Sequence, residues 1–262
     1  MALDAATIAK LAEHLEKAEL EAFDVTKITD DHPAMTIAEA YQVMEAIRDA
    51  KLARGIRQVG YKMGLTSRAK MVQMGVDKPG YGLLFDYFAV EDGGVIDTKK
   101  LIHPKVEAEI AFVTKAPLKG PGVHIGNVLA ATDFVLPALE IIDSRYRDFK
   151  FDMVSVIADN SSSCRFVTGG RSRDVSEVDL KTLGLVMEKN GQPVGLSCGA
   201  AVLGHPAASV AMLANMLGAK GEELPAGSFI MTGGVTAAVA VEAGDTVTVH
   251  YQDLGSISVS FV

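Results

Sequence analysis

His103-Pro-Lys-Val-Glu-Ala-Glu-Ile-Ala-Phe112 and Val135-Leu-Pro-Ala-Leu-Glu-Ile-Ile142 are the stretches on which the reading of this chain turns. Residues i and i+2 of a strand share a face, so Glu107 and Glu109 point together while Val106, Ala108 and Ile110 point the other way. A Glu-x-Glu pair alone is ordinarily the solvated face of a strand. Glu140 argues otherwise: an acid with apolar neighbours on both sides is expected to be buried, and a buried Glu needs a partner or a metal. Three convergent carboxylates call for a cation. Hard oxygen donors suit Mg²⁺ or Mn²⁺ and can leave a coordination position for a substrate oxygen.

Upstream of this centre the pattern is helical, from residue 1 to about 57. Ile8, Leu11, Leu15 and Leu20 form one stripe, and Thr36-Ile-Ala-Glu39 is a capping box that opens a second helix. Ile37, Tyr41, Met44 and Ile47 form the apolar face of that helix, and Gly55 is its stop. From Val59 the pattern changes to short apolar runs punctuated by Gly, Pro and Asn. Strands are expected near 59–63, 107–114, 134–142, 184–189, 228–232, 237–241, 245–251 and 256–262, with a hairpin turn at Asn190-Gly191. A helix starts at Pro206 and runs to Gly218. The expected division is a helical region, 1–57, packed on a β-rich body, 58–262.

Composition narrows the function classes. With 262 residues the chain can bury a substantial core, and 48% hydrophobic with 22% charged residues is ordinary for a globular protein. A net charge of −8 speaks against nucleic acid and against anionic lipid as partners. Cys164 and Cys198, the two cysteines, lack metal-type spacing and are expected to be small buried residues in a reducing cytoplasm. The N-terminus does not read as a secretory signal, and no uninterrupted apolar run reaches the ~18 residues of a spanning helix.

Five motifs stand in one order: Gly60-Tyr-Lys-Met-Gly-Leu-Thr66, Lys105-Val-Glu-Ala-Glu-Ile-Ala-Phe112, Leu139-Glu-Ile-Ile-Asp-Ser-Arg145, Ala158-Asp-Asn-Ser-Ser162, and a C-terminal block from Met231-Thr-Gly-Gly-Val through Ala243-Gly-Asp245 to Leu254-Gly-Ser-Ile. Together they resemble the fumarylacetoacetate hydrolase superfamily, and within it the hydratase and decarboxylase branch of catechol meta-cleavage pathways. The similarity covers essentially the whole chain. It implies an α+β fold, a mixed β-sandwich roll preceded by a helical N-terminal region. It also assigns Glu107, Glu109 and Glu140 as the ligands of Mg²⁺ or Mn²⁺.

Two activities of the branch compete. Its hydratases typically carry Gln-Pro-Asp-Phe-Gly after the lysine motif, with the Asp helping to deliver water; here the chain reads Lys78-Pro-Gly80-Tyr-Gly82. Gly80 removes that carboxylate and is expected to make room for a six-carbon diacid; Asp77, three residues earlier, is not taken as its substitute. The resemblance therefore implies decarboxylation of 2-oxohex-3-enedioate to 2-hydroxypenta-2,4-dienoate, with hydration of the latter compound as the alternative. It further implies association with the companion 2-hydroxypenta-2,4-dienoate hydratase. A carbon–carbon hydrolase would need a water-activating His, for which no convincing candidate exists, and a non-catalytic keto-acid-binding subunit is disfavoured by the intact acid and lysine motifs.

The resemblance makes Lys62 the catalytic residue, placing an ammonium near the keto oxygen or a substrate carboxylate and available to supply a proton. On this reading its charge matters for turnover rather than for folding. Leu65, through its backbone, and Ser162, Gly80, Thr232 and Gly233 are the further candidates for substrate contact. Gly233-Gly234 would serve equally as a tight turn. Asp143 and Arg145 fit either an ion pair supporting the strand or a substrate contact. His103 and His205 adjoin Pro and have no ligand-spaced partner, so turns or caps are expected of them.

Overall fold

The computed structural model describes residues 3–67, 71–72 and 78–262. Asp77 lies outside these residues. The chain opens with α1 (Ala5–Glu21), α2 (Ile28–Asp31) and α3 (Ile37–Ala53), and its strands begin at Gln58. Asp4 caps α1 by accepting the Thr7 amide, and Thr36 and Glu39 form the expected reciprocal capping box on α3. Gly55, with φ of 84°, follows the C-terminus of α3 in the left-handed conformation that ends a helix. Two members of the expected stripes face water instead: Leu20 is 58% exposed and Ile37 49% exposed. Leu20 is the last residue but one of α1, and Ile37 is the first of α3.

Helix α3 is tied to its surroundings by charge as well as by packing. The wholly buried Lys51 Nζ lies 3.0 Å from Glu19 Oε2 and 3.1 Å from Glu16 Oε1, both on α1, and donates at 2.7 Å to the Tyr87 hydroxyl. A buried ammonium is tolerable only with such partners.

The strands are β1 (Gln58–Gly64), β2 (Gly80–Phe85), β3 (Ala89–Val90), β4 (Gly94–Ile96), β5 (Lys105–Thr114), β6 (Thr132–Ile142), β7 (Ser163–Thr168), β8 (Gly184–Lys189), β9 (Gln192–Cys198), β10 (Phe229–Met231), β11 (Val239–Ala240), β12 (Thr246–Tyr251) and β13 (Gly255–Phe261). Among the described residues they form two sheets. The larger runs β2-β1-β10-β5-β6-β7-β3, with β11 also on β5, and the smaller runs β4-β13-β12-β8-β9. In the smaller sheet Val247, Val249 and Tyr251 alternate with more exposed residues, as do Ile257, Val259 and Phe261, so one face is buried. The Tyr251 hydroxyl donates to the Ala138 carbonyl at 2.7 Å, tying β12 to β6.

Every strand expected from the sequence is present within a few residues, and β2, β3, β4, β7 and β9 are additional. The 20-residue stretch Gly199–Gly218 is apolar enough by mean composition to cross a membrane, although His205, Ser209 and Asn215 interrupt it. Half of it is buried inside the fold. Its helix, Pro206–Gly218, has 13 residues, about 20 Å of rise, short of a hydrocarbon core of about 30 Å. His205 caps that helix through Nδ1, which accepts the Ala207 amide at 3.1 Å. Cys164 is buried as expected, whereas Cys198 is half-buried.

Candidate active site

The antiparallel register of β5 and β6 sets Glu107 directly opposite Glu140, with Glu109 opposite Ala138. All three carboxylates therefore share one face of the sheet. One oxygen from each lies within 4.8 Å of the others. Glu109 and Glu140 are wholly buried and Glu107 is 6% exposed. Like charges facing each other across a strand pair repel, and burial magnifies the repulsion. Burial holds the Glu109 carboxyl well above its usual range, with the Glu140 charge adding to the rise and Lys62 opposing it. Burial likewise raises Glu140 against the pull of Lys62. Glu109 Oε1 and Glu140 Oε1 have no hydrogen-bond partner. Buried carboxylate oxygens without donors, gathered within one ion's reach, fit a hard divalent cation such as Mg²⁺ or Mn²⁺.

The surrounding backbone is shaped to these acids. Gly233, at φ 102°, donates its amide to Glu109 Oε2 at 2.7 Å. A Cβ at Gly234 would stand 2.6 Å from Glu107 Oε2. The glycine pair thus brings backbone against the carboxylates. Thr232, expected at the substrate, is wholly buried and donates its hydroxyl to the Ile110 carbonyl at 2.8 Å. Neither Thr232 nor Gly233 is among the residues lining the cavity described below.

Lys62, on β1, is 3% exposed. Its Nζ donates to the Ser161 carbonyl at 2.9 Å and lies 3.1 Å from Glu140 Oε2. The expectation that its charge matters little for folding is corrected here, because this ammonium is the counter-charge of a wholly buried acid. The carbonyl comes from an unusual loop: Asn160, Ser161 and Ser162 have φ of 49°, 52° and 58° in succession. Non-glycine residues in this region carry strain that the surroundings must sustain. Asn160 supplies part of the clamp, its side chain bonding both the amide and the carbonyl of Leu83, at 2.7 and 2.9 Å. The Ser161 hydroxyl supplies more by donating to the Tyr81 carbonyl at 3.0 Å.

A cavity of about 250 Å³ opens against this cluster. Lys62, Leu65, Gly80, Glu107 and Ser162, all expected from the sequence, line it. Most of the remaining wall was not expected: Lys105 and Ile142 from β5 and β6, and Phe149, Phe151, Met153, Val156 and Ile157 from the segment after β6. Leu65 has φ of 58°, consistent with a backbone shaped to the site. Gly80 does not leave open room, since an added Cβ would stand 3.2 Å from Met153 Cε and 3.4 Å from Ile157 Cγ1. The place of a side chain at 80 is taken by apolar wall.

Arg145 and Asp143 serve the frame, and not as a pair with each other. The guanidinium of Arg145 bonds the Asp159 carboxylate and carbonyl and the Asp143 and Ser163 carbonyls. The Asp143 carboxylate accepts the Ile102 and His103 amides at 2.9 and 2.7 Å, fixing the entry to β5. The His103 ring lies 5.0 Å from that of Phe149.

Residues 86–262 match the family described as fumarylacetoacetate (FAA) hydrolase C-terminal. The chain belongs to the fumarylacetoacetate hydrolase family. The match begins after β1 and β2, so Lys62 and Gly80 lie upstream of it. A 4-oxalocrotonate decarboxylase of Pseudomonas sp. (strain CF600) is 66% identical over 252 residues, 96% of each chain. A solved structure of 4-oxalocrotonate decarboxylase from Pseudomonas putida G7, complexed with magnesium and adipate, superposes with a TM-score of 0.98 at 62% identity over 99% of both chains. Similarity to a hydratase is lower: the 2-hydroxyhexa-2,4-dienoate hydratase of Comamonas testosteroni is 41% identical over 236 residues, 89% of each chain. The α+β roll read from the sequence is the fold of this family.

Proposed function

We propose that this family member is a carboxy-lyase that converts 2-oxohex-3-enedioate (4-oxalocrotonate) into 2-hydroxypenta-2,4-dienoate and CO₂, a step of catechol meta-cleavage carried out in the cytoplasm. The observation that carries the reading is a buried three-carboxylate cluster that reaches, through Glu107, a cavity lined largely by apolar side chains and which, at Gly80, offers no acid to direct water. The names of the 66%-identical relative and of the magnesium- and adipate-bound neighbour support it, adipate being a saturated six-carbon diacid. On this reading residues 1–57 form a helical region packed on a catalytic body of 58–262.

Glu107, Glu109 and Glu140 would hold Mg²⁺ or Mn²⁺. When bound, the ion would supply Lewis acidity to a keto oxygen and an adjacent carboxylate. The reaction breaks the C5–C6 bond; the electron pair becomes the C4=C5 double bond, C3=C4 shifts to C2=C3, and the keto oxygen takes the charge and then a proton. Lys62 Nζ, at the cluster, is the residue placed to stabilise that oxygen and hand it the proton. Leu65 and Ser162 bound the substrate on the side of Lys62. Phe151, Met153, Val156 and Ile157 keep water from the chain carbons, so that the charge moving away from C6 meets a medium of low dielectric. The product is a reactive dienol, and a companion hydratase held close by would consume it before it escapes.

The test offers purified protein with Mg²⁺ two substrates in parallel, 2-oxohex-3-enedioate and 2-hydroxypenta-2,4-dienoate. Loss of CO₂ from the first with negligible hydration of the second is expected. Efficient hydration of the second with no CO₂ from the first would reassign the chain as a hydratase.

A further inference from the structure

Lys105, Glu107 and Glu109 occupy alternate positions of β5 and so share a face. Lys105 pairs across the sheet with Ile142, just as Glu107 pairs with Glu140, so this sheet face carries a two-by-two array with acids at one end and Lys105 and Ile142 at the other, of which Lys105, Glu107 and Ile142 line the cavity. The Lys105 ammonium lies 3.9 Å from the centre of the Phe149 ring, whose face fixes its position. Among the described residues no carboxylate forms an ion pair with it. A half-buried cation that lines a cavity and stacks on an aromatic face is available to an anionic ligand.

We infer that Lys105 binds the distal carboxylate of a six-carbon diacid and sets the preference for a doubly over a singly charged keto acid. The inference rests on the function proposed above. Two positions along a strand span roughly 7 Å. The five C–C bonds of the diacid, each about 1.5 Å, span a similar distance when extended. A molecule whose keto-acid head sits at the carboxylate cluster therefore carries its C6 carboxylate toward Lys105. The partner offsets the desolvation of a second negative charge beside Phe149 and Phe151.

The same geometry predicts a particular kinetic split. Decarboxylation removes charge from C6 and delivers it to the keto oxygen, so an ammonium at C6 holds the ground state more tightly than the transition state. Lys105→Met should therefore raise KM while kcat stays level or rises, unlike the loss of kcat expected from a residue that acts on the developing charge.

Binding of 2-oxoadipate and of 2-oxohexanoate, two keto acids with the same head that differ in the C6 carboxylate, would be measured by calorimetry in saturating Mg²⁺. Wild type should favour 2-oxoadipate by on the order of tenfold, Lys105→Met and Lys105→Gln should lose that preference, and Lys105→Arg should keep most of it. The ratio is internal to each variant, so a general loss of folded protein does not imitate the result. A wild-type preference that survives unchanged in both neutral variants overturns the role of Lys105 and leaves the proposed function standing. Failure of wild type to bind either keto acid overturns both.

Discussion

Replacing Lys62 with methionine should destabilise the metal-stripped protein strongly, although the substituted side chain is similar in length and apolar. Lys62 Nζ is 3.1 Å from Glu140 Oε2, with the two side chains 4% and 0% exposed, and it also donates to the Ser161 carbonyl at 2.9 Å. Removing one partner of a buried pair leaves an uncompensated charge or forces its protonation, at a cost of about 3–5 kcal/mol. For a chain of this size, each kcal/mol corresponds to roughly 2–4 °C of melting temperature, so a fall of about 10 °C is expected in chelator. Mg²⁺ should then narrow the gap. In wild type the Lys62 ammonium offsets the charge of Glu140, whereas in the variant it does not, so a divalent cation gains more from binding the variant. Differential scanning calorimetry of both proteins, with chelator and with Mg²⁺, gives the four melting temperatures needed. A variant that melts within 2 °C of wild type in chelator, or a gap that Mg²⁺ widens, would refute the argument that Lys62 compensates Glu140.

Three further outcomes follow from named contacts. Glu107→Gln removes one unit of ligand charge from the cluster and should weaken Mg²⁺ binding by more than tenfold in calorimetric titration; unchanged affinity would move the metal site elsewhere. Gly80→Asp should impair decarboxylation and lower the melting temperature, because its carboxylate would enter the wall made by Met153 and Ile157; full activity with wild-type stability would show that this wall yields freely. The Glu39 carboxyl is held below its usual 4.5 by the Leu3 amide, then by the Thr36 hydroxyl and amide. A depressed carboxyl contributes stability that is complete above the unfolded value and lost as pH falls through the folded one. Glu39→Gln should therefore show a shallower fall in melting temperature than wild type as pH drops below 4.5, and parallel curves in that window would count against the cap.

The acids of the site were legible because a strand has a period of two: Glu107 and Glu109 had to share a face, and Glu140 was conspicuous between apolar neighbours. Their common cluster depended on the register of β5 against β6, which no local pattern states. Lys105 obeys the same alternation and could have been found from it, one step before Glu107. Its place over the Phe149 ring is a tertiary contact that the alternation does not state. The apolar wall was hidden for another reason, since Phe149 to Ile157 belong to a 3₁₀ turn, a loop and a short helix with no long periodicity. Strand β2 escaped notice because all six of its residues are buried and two of the first three are glycine, so it neither alternates nor favours a strand by propensity. Lys62 was placed correctly at the cavity, but its tie to Glu140 and to the strained Asn160–Ser162 loop is a long-range contact that sequence spacing does not encode.

The step that defines the proposed reaction is departure of the carboxylate remote from the keto group. It is tested most directly with 2-oxohex-3-enedioate carrying ¹³C at C6 in one sample and at C1 in another, each incubated with the enzyme and Mg²⁺ while released gas and retained product are followed by mass spectrometry. The account predicts labelled CO₂ from the C6 sample alone, with the C1 label kept in 2-hydroxypenta-2,4-dienoate. Labelled CO₂ from the C1 sample, or a hydrated product with both carboxylates intact, would contradict it.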